Sequence, residues 1–270
     1  MTALRLAIQV VSIELRRTFT YRFEFWFRFL GTLFANVALA YFLWKAIFAQ
    51  TGAHQIEGYT FPAMVFYYVL VPLVINITRT HESGFMAGEI YTGTLTRYLV
   101  FPMSFFVYKY ASTVASTLVG VLQLGIIVAG YALIVGFPAE LQLTPASFAM
   151  GLSVGILAGA LNFYIMSCIE MVAFWADNIW SLGVMFMFLT RLLGGAMLPL
   201  AMFPDAVQQI LPFTPFPYLI SFPVLSLMGR VSLDAWLQGI LVMVVWMVAF
   251  ALLQQLIWKR GSVHYAGVGI

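Results

Sequence analysis

The sequence predicts an all-α membrane protein: six transmembrane helices, an N-terminal amphipathic helix, and short re-entrant helices between spans five and six. Three observations carry that reading. The composition suits lipid better than water, because 63% of the 270 residues are hydrophobic and 9% are charged, with a mean hydropathy of +0.96. An average soluble domain is about 45–50% apolar and about 25% charged. The apolar residues also fall into runs long enough to cross a bilayer, separated by brief polar breaks. Finally, the stretch from Pro199 to Leu233 holds Pro199, Pro204, Pro212, Pro215, Pro217 and Pro223 among bulky apolar residues. Proline breaks a spanning helix, yet this stretch is too apolar for a solvated loop, so short helices buried in protein are expected there.

The elements follow in order. Leu4, Ile8, Val11, Leu15 and Phe19 recur at helical spacing, with Arg5, Gln9, Ser12 and Arg16 on another face. Residues 1–24 therefore read as an amphipathic helix in the membrane interface, or as a cytosolic start to the first span. The run Leu6–Ile13 is too short for a signal peptide and is followed at once by Glu14, Arg16 and Arg17. Spans are expected at about 25–48, 61–77, 105–137, 146–169, 179–198 and 236–258. Between the second and third lies the polar stretch 79–102, longer than a simple connection requires. Glu170 to Asn178 is a tight turn, and Lys259 and Arg260 stop the last span.

Positive charge sets the expected orientation. Six spans place both termini on one side. Arg5, Arg16, Arg17, Arg22, Arg28, Arg79, Arg97, Lys109, Lys259 and Arg260 fall there, against Lys45 and Arg230 opposite. Both termini, the 79–102 stretch and the 170–178 turn are thus expected in the cytoplasm. The net charge of +3 fits basic loops beside membrane lipids and gives no basis for nucleic-acid binding.

Two motifs that would carry chemistry, the phosphate loop and H-E-x-x-H, do not occur in the sequence. No phosphate-binding G-x-x-x-x-G-K-[ST] loop is present, since Lys45, Lys109 and Lys259 follow no such glycine frame. His54, His81 and His264 are scattered without carboxylates at metal-ligand spacing, and a lone Cys168 in an apolar run reads as a packed core residue. Inside the fifth span, Arg191 reads as a contact to an anionic substrate or a gate, or else as a snorkelling cation. Asn162 joins it as a polar residue within a span, a candidate for a translocation path. Small residues form stripes at Ser112, Ser116 and Gly120, and at Ser147, Gly151, Gly155 and Gly159. Such stripes allow close backbone approach, within one subunit or between two.

The stretch Gly88–Tyr108 resembles a signature of ABC type-2 permeases. Glu89, Ile90, Gly93, Leu95, Leu99 and Pro102 match the pattern, while Tyr91 and Phe101 stand where the family commonly has arginine. Gly194–Pro204, Leu211-Pro212-Phe213 and Pro223 resemble the family's Gly–Leu–Pro–Phe-Pro passage, and Phe174-Trp175 looks familial too. The resemblance implies one ABC type-2 transmembrane domain over 1–270 of a bacterial ABC exporter in the cytoplasmic membrane. A cytosolic ATPase dimer would hold ATP and Mg, with no cofactor bound by this chain itself. A second copy or a paralogous permease would complete the membrane part. It further implies ATPase coupling through Glu82, Glu89, Thr92, Gly93, Thr96 and Arg97, and through Trp175 and Asp177. Pro199, Phe203, Pro204 and Phe213 would form an outer gate.

Two other readings compete: an ion-coupled or passive transporter without an ATPase, and a membrane enzyme or assembly factor. Neither Glu170 nor Asp177 lies at mid-membrane, where an ion-driven carrier needs its carboxylate. Aromatic residues make up 17% of the chain, which suits a hydrophobic, amphipathic or lipid-linked cargo and equally suits interfacial belts.

Overall fold

The computed structural model describes residues 3–20, 22–79 and 85–265. Among them, regular structure is helical apart from one isolated bridge between Ile56 and Tyr59. The chain opens with α1 (Ala3–Thr20), α2 (Arg22–Thr51) and α3 (Phe61–Thr78). Two short helices follow, α4 (Phe85–Tyr91) and α5 (Thr96–Leu99), and then two long ones, α6 (Phe105–Ile134) and α7 (Pro145–Glu170). After a 3-10 turn at Met171–Phe174 come α8 (Trp180–Leu193), α9 (Asp205–Ile210), α10 (Phe216–Leu219), α11 (Ser221–Leu227) and α12 (Leu233–His264).

Five of these, α2, α3, α6, α7 and α12, are long and apolar enough to cross a membrane. Their starts are set locally. Thr60, Ser104 and Ser232 each accept an amide hydrogen from the first turn that follows, and Thr144 with Ser147 forms a reciprocal capping box at α7. Pro62 and Pro145 sit in first turns, where a missing N–H costs nothing. The apolar windows of α3 and α7 are each 61% buried, against 17% for α2 and 11% for α12. α3 and α7 therefore form the centre, and α2 and α12 turn broad apolar faces outward, as lipid permits.

The predicted fifth span, 179–198, is shorter as a helix: α8 has 14 residues and ends at Leu193. At about 1.5 Å per residue it covers roughly 21 Å of a hydrocarbon core roughly 30 Å thick. The stop is made by Gly194 and Gly195, the second with φ +88°, a conformation glycine takes without strain. The Tyr67 hydroxyl donates to the Gly195 carbonyl over 2.7 Å, and the Ser221 amide donates to the Gly194 carbonyl over 2.9 Å.

The bundle has two distinct ends. At one, Arg230 donates to the Gly58 carbonyl over 3.0 Å and lies 4.2 Å from the Tyr59 ring, Glu140 accepts from Thr60, and Gly229 meets the Gln142 backbone. At the other gather α4, α5, the start of α6, the 171–179 turn and the end of α12. Between α9 and α11 the chain runs back against the bundle: the Trp246 indole on α12 donates to the Phe213 carbonyl, and Tyr218 packs with Val154, Ala158 and Met243. α11 then returns along α7 to the Arg230 end.

The small-residue stripes pack inside the chain. A Cβ on Gly120 would lie 3.0 Å from the α3 backbone at Asn76 and Ile77, and one on Gly151 would lie 2.5 Å from Leu227 on α11. α1 packs lengthwise against α6.

Candidate functional site

The α4 end is built as a small core of its own. Met86, Ala87, Ile90, Leu95, Tyr98, Phe105, Phe163, Ala173 and Ile179 are buried together there. Trp258, near the end of α12, closes it, stacking on Phe105 at 5.6 Å and meeting Phe106 and Phe174 edge-on at 5.0 and 5.9 Å. Offset and edge-on pairs of this kind add to the burial of the rings themselves.

Glu89 sits inside this core. It is 6% exposed. Its Oε1 accepts from Lys109 Nζ at 2.8 Å and from the Tyr98 hydroxyl at 2.8 Å, with Arg97 Nη2 at 3.6 Å. The lysine side chain is only 1% exposed, and Nζ also lies 5.0 and 5.3 Å from the Tyr98 and Phe105 rings. Removing one partner from such a buried pair costs about 3–5 kcal/mol, because the other charge is stranded. Burial, and then the bond to Glu89, push the Tyr98 phenol above its ordinary range. Glu89 Oε2 has no hydrogen-bond partner among the described residues.

A second carboxylate holds the beginning of the same short helix. Glu170, at the end of α7 and 5% exposed, accepts from the Met86 amide at 2.7 Å. It satisfies one of the orphan amides that every helix start presents. The turn from α4 into α5 passes through Gly93, with φ +71°, and the Leu95 amide closes back on the Glu89 carbonyl at 3.1 Å. Tyr91 lies beside Ile179 and Asp177, which joins α4 to the 171–179 turn.

The predicted coupling residues therefore divide. Thr92, Thr96, Arg97, Trp175 and Asp177 are exposed on this end, and Gly93 is the buried hinge beneath them. Glu89, also expected to take part in coupling, is buried, where it meets Lys109 and Tyr98 and is reached from the surface by Arg97. Glu82 lies outside the described residues. Sequence reasoning did not single out Lys109 and Glu170 as site residues. The available signal was a lysine just inside an apolar helix, with an acidic residue in the polar stretch before it.

Asn162 and Arg191 are not brought together. Asn162 donates to the Thr78 carbonyl over 3.0 Å, and Thr117 donates to the Ile77 carbonyl over 3.1 Å, so both close the end of α3. The Arg191 side chain is exposed in the last turn of α8, and its carbonyl accepts from Ala196 and Met197. Of the expected gate residues, Pro199 is buried and begins the 3-10 turn Leu200–Met202, and Pro204 begins α9. Gln208 ties these pieces together, donating to the Ala201 and Phe203 carbonyls at 3.0 and 2.8 Å. Phe213 is 77% exposed. Among the described residues, no three His, Cys, Asp or Glu side chains group as a metal site.

The family described as ABC-2 family transporter protein matches residues 34–269. The chain belongs to the ABC-2 family of transporters. No curated protein and no solved structure matches it. The match begins inside α2 and runs through the α4 end to the last residues of the chain. As an ABC-2 permease the protein is a transport component of a membrane, and membership implies an ABC ATPase as its partner.

Proposed function

We propose that this ABC-2 permease is the membrane-spanning subunit of an ATP-driven exporter in a bacterial cytoplasmic membrane. The α4 end faces the cytosol and receives the ATPase dimer, which holds ATP and Mg. Both termini lie on that side. α8 with the chain through Met202 makes the fifth of six crossings. The α9–α11 segment dips back from the outer side as re-entrant helices, with Pro199, Phe203, Pro204 and Phe213 near the exit. A second copy, or a paralogous permease, completes the path. The cargo is hydrophobic, amphipathic or lipid-linked and leaves the cytoplasm or inner leaflet.

One observation supports this most. The exposed residues Thr92, Thr96, Arg97, Trp175 and Asp177 stand on a platform whose underside is a packed core and a buried ion pair. A force applied there reaches α6, α7 and α12, because all three contribute to that core. A partner drives a change of state only through contacts that differ between the states, and a rigid platform provides a place for such contacts.

The test is purification from the host's own membranes in mild detergent, followed by reconstitution with a headgroup-labelled fluorescent phospholipid. A co-purifying ATP-binding subunit whose hydrolysis rises with the permease present supports the reading. A chain that purifies alone and moves the labelled lipid without ATP overturns it.

A further inference from the structure

We propose that Lys109 and Glu170 are positioning residues that fasten α4 to two spans at once, so that any displacement of α4 carries α6 and α7 with it. The proposal rests on reading the α4 end as the ATPase contact. α4 has 7 residues and cannot hold a helix by itself. Its attachments decide how it moves. Met86, Ala87 and Ile90 seat it on apolar neighbours, and apolar contact is non-directional and tolerates sliding. The two charged contacts do not. Glu170 Oε2 receives the Met86 amide at 2.7 Å, and Lys109 Nζ meets Glu89 Oε1 at 2.8 Å. Sliding α4 by one turn would break both contacts and carry Glu89, whose Oε2 already has no hydrogen-bond partner among the described residues, away from Lys109 within a low-dielectric core, where an uncompensated charge is heavily penalised.

The placement of the two residues gives the device its use. Lys109 opens α6, and Glu170 closes α7. The clamp therefore joins the beginning of one span to the end of the next through a helix that belongs to neither. Tyr98 extends it to α5, since its hydroxyl shares the same carboxylate oxygen at 2.8 Å. The direct alternative, Lys109 as a contact for an anionic cargo, does not fit. Its side chain is 1% exposed and is enclosed by Glu89, Tyr98 and Phe105.

The experiment uses the full chain, in lipid nanodiscs alone and in liposomes with its co-purified ATPase and the labelled phospholipid. The variants are Lys109→Met, Lys109→Arg and Glu170→Gln. Hydrogen exchange over residues 86–91 and lipid moved per ATP hydrolysed are both read. Losing one charged hydrogen bond should raise exchange in Lys109→Met and Glu170→Gln by about tenfold or more. Lipid moved per ATP should fall by a similar factor, with the ATPase still bound and hydrolysing. Lys109→Arg should restore both. Unchanged exchange and an unchanged transport ratio in Lys109→Met would overturn the proposal, as would a folded Lys109→Arg protein that restores neither. If Lys109→Met does not reach the membrane, Glu170→Gln carries the same two readouts. A wild-type chain that binds no ATPase counts against the proposed function, and hydrogen exchange alone then decides on the clamp.

Discussion

The Tyr67 hydroxyl on α3 donates to the Gly195 carbonyl over 2.7 Å, and this bond marks where α8 gives way to irregular chain. A carbonyl at a helix break inside an apolar bundle has no water to accept from. The tyrosine supplies what the helix ladder no longer does. Tyr67→Phe keeps the ring and removes only the donor. It should destabilise the protein by about 1–3 kcal/mol, the cost of a buried acceptor without a partner. Thermal unfolding in detergent reads this directly, and an unchanged midpoint would remove Tyr67 from the role. Gly195→Ala should be no milder, because it adds left-handed backbone strain of about 1–2 kcal/mol and a Cβ 2.9 Å from that same hydroxyl.

Two glycines on neighbouring spans should behave oppositely. A Cβ at Gly151 would lie 2.6 Å from the Leu227 backbone nitrogen, so Gly151→Leu must push α11 away from α7. Overpacking of this kind costs about 1–3 kcal/mol or more. Gly125 on α6 has nothing within 4 Å of where its Cβ would stand. Gly125→Ala should be neutral, or stabilising by up to about 1 kcal/mol from helix propensity. Paired melting curves settle the contrast, and equal shifts for the two variants would contradict it.

The end of α3 depends on side chains from two other spans. Asn162→Leu and Thr117→Val each leave a carbonyl of its last turn without its donor. Each should lower stability by roughly 0.6–2 kcal/mol, the range for interhelical hydrogen bonds in membranes. The two carbonyls are adjacent, so the double variant should depart from the sum of the singles. A double-mutant cycle on unfolding measures the departure.

Orientation is open to thiol labelling. Cys168 is buried and is first replaced by alanine. His54 and Thr92 are exposed at opposite ends of the bundle and each becomes the single cysteine of a variant. An impermeant maleimide on intact cells should label the His54→Cys protein and should reach Thr92→Cys only after the membrane is opened. The reverse pattern would place the α4 end outside the cell and end the coupling interpretation.

Much of the helical architecture was readable in the sequence because lipid imposes simple rules. The expected starts at 61, 105, 146 and 236 fall at or within a turn of the helix starts Phe61, Phe105, Pro145 and Leu233. The helix in the expected fifth span is shorter than 179–198, since apolar content continues past Leu193, where the helix ends. The site was half legible. Thr92, Thr96, Arg97, Trp175 and Asp177 lie on one end together, as their topological placement required. Glu89 was assigned to coupling through its match to the family pattern, which says nothing of its burial. Nothing local shows that Lys109 is folded against it.

Composition and periodicity alone determined that this chain lives in lipid as a helical bundle, since only closed backbone hydrogen bonding survives there and the apolar runs have the right length. The pattern Gly88–Pro102 already pointed to the family. Only the tertiary structure decided which charges are buried together, which glycines touch a neighbouring helix, and where α8 stops. Those outcomes depend on contacts between residues far apart in the chain, such as Glu89 with Lys109 and Tyr67 with Gly195, and no periodicity along a single helix encodes such a pairing.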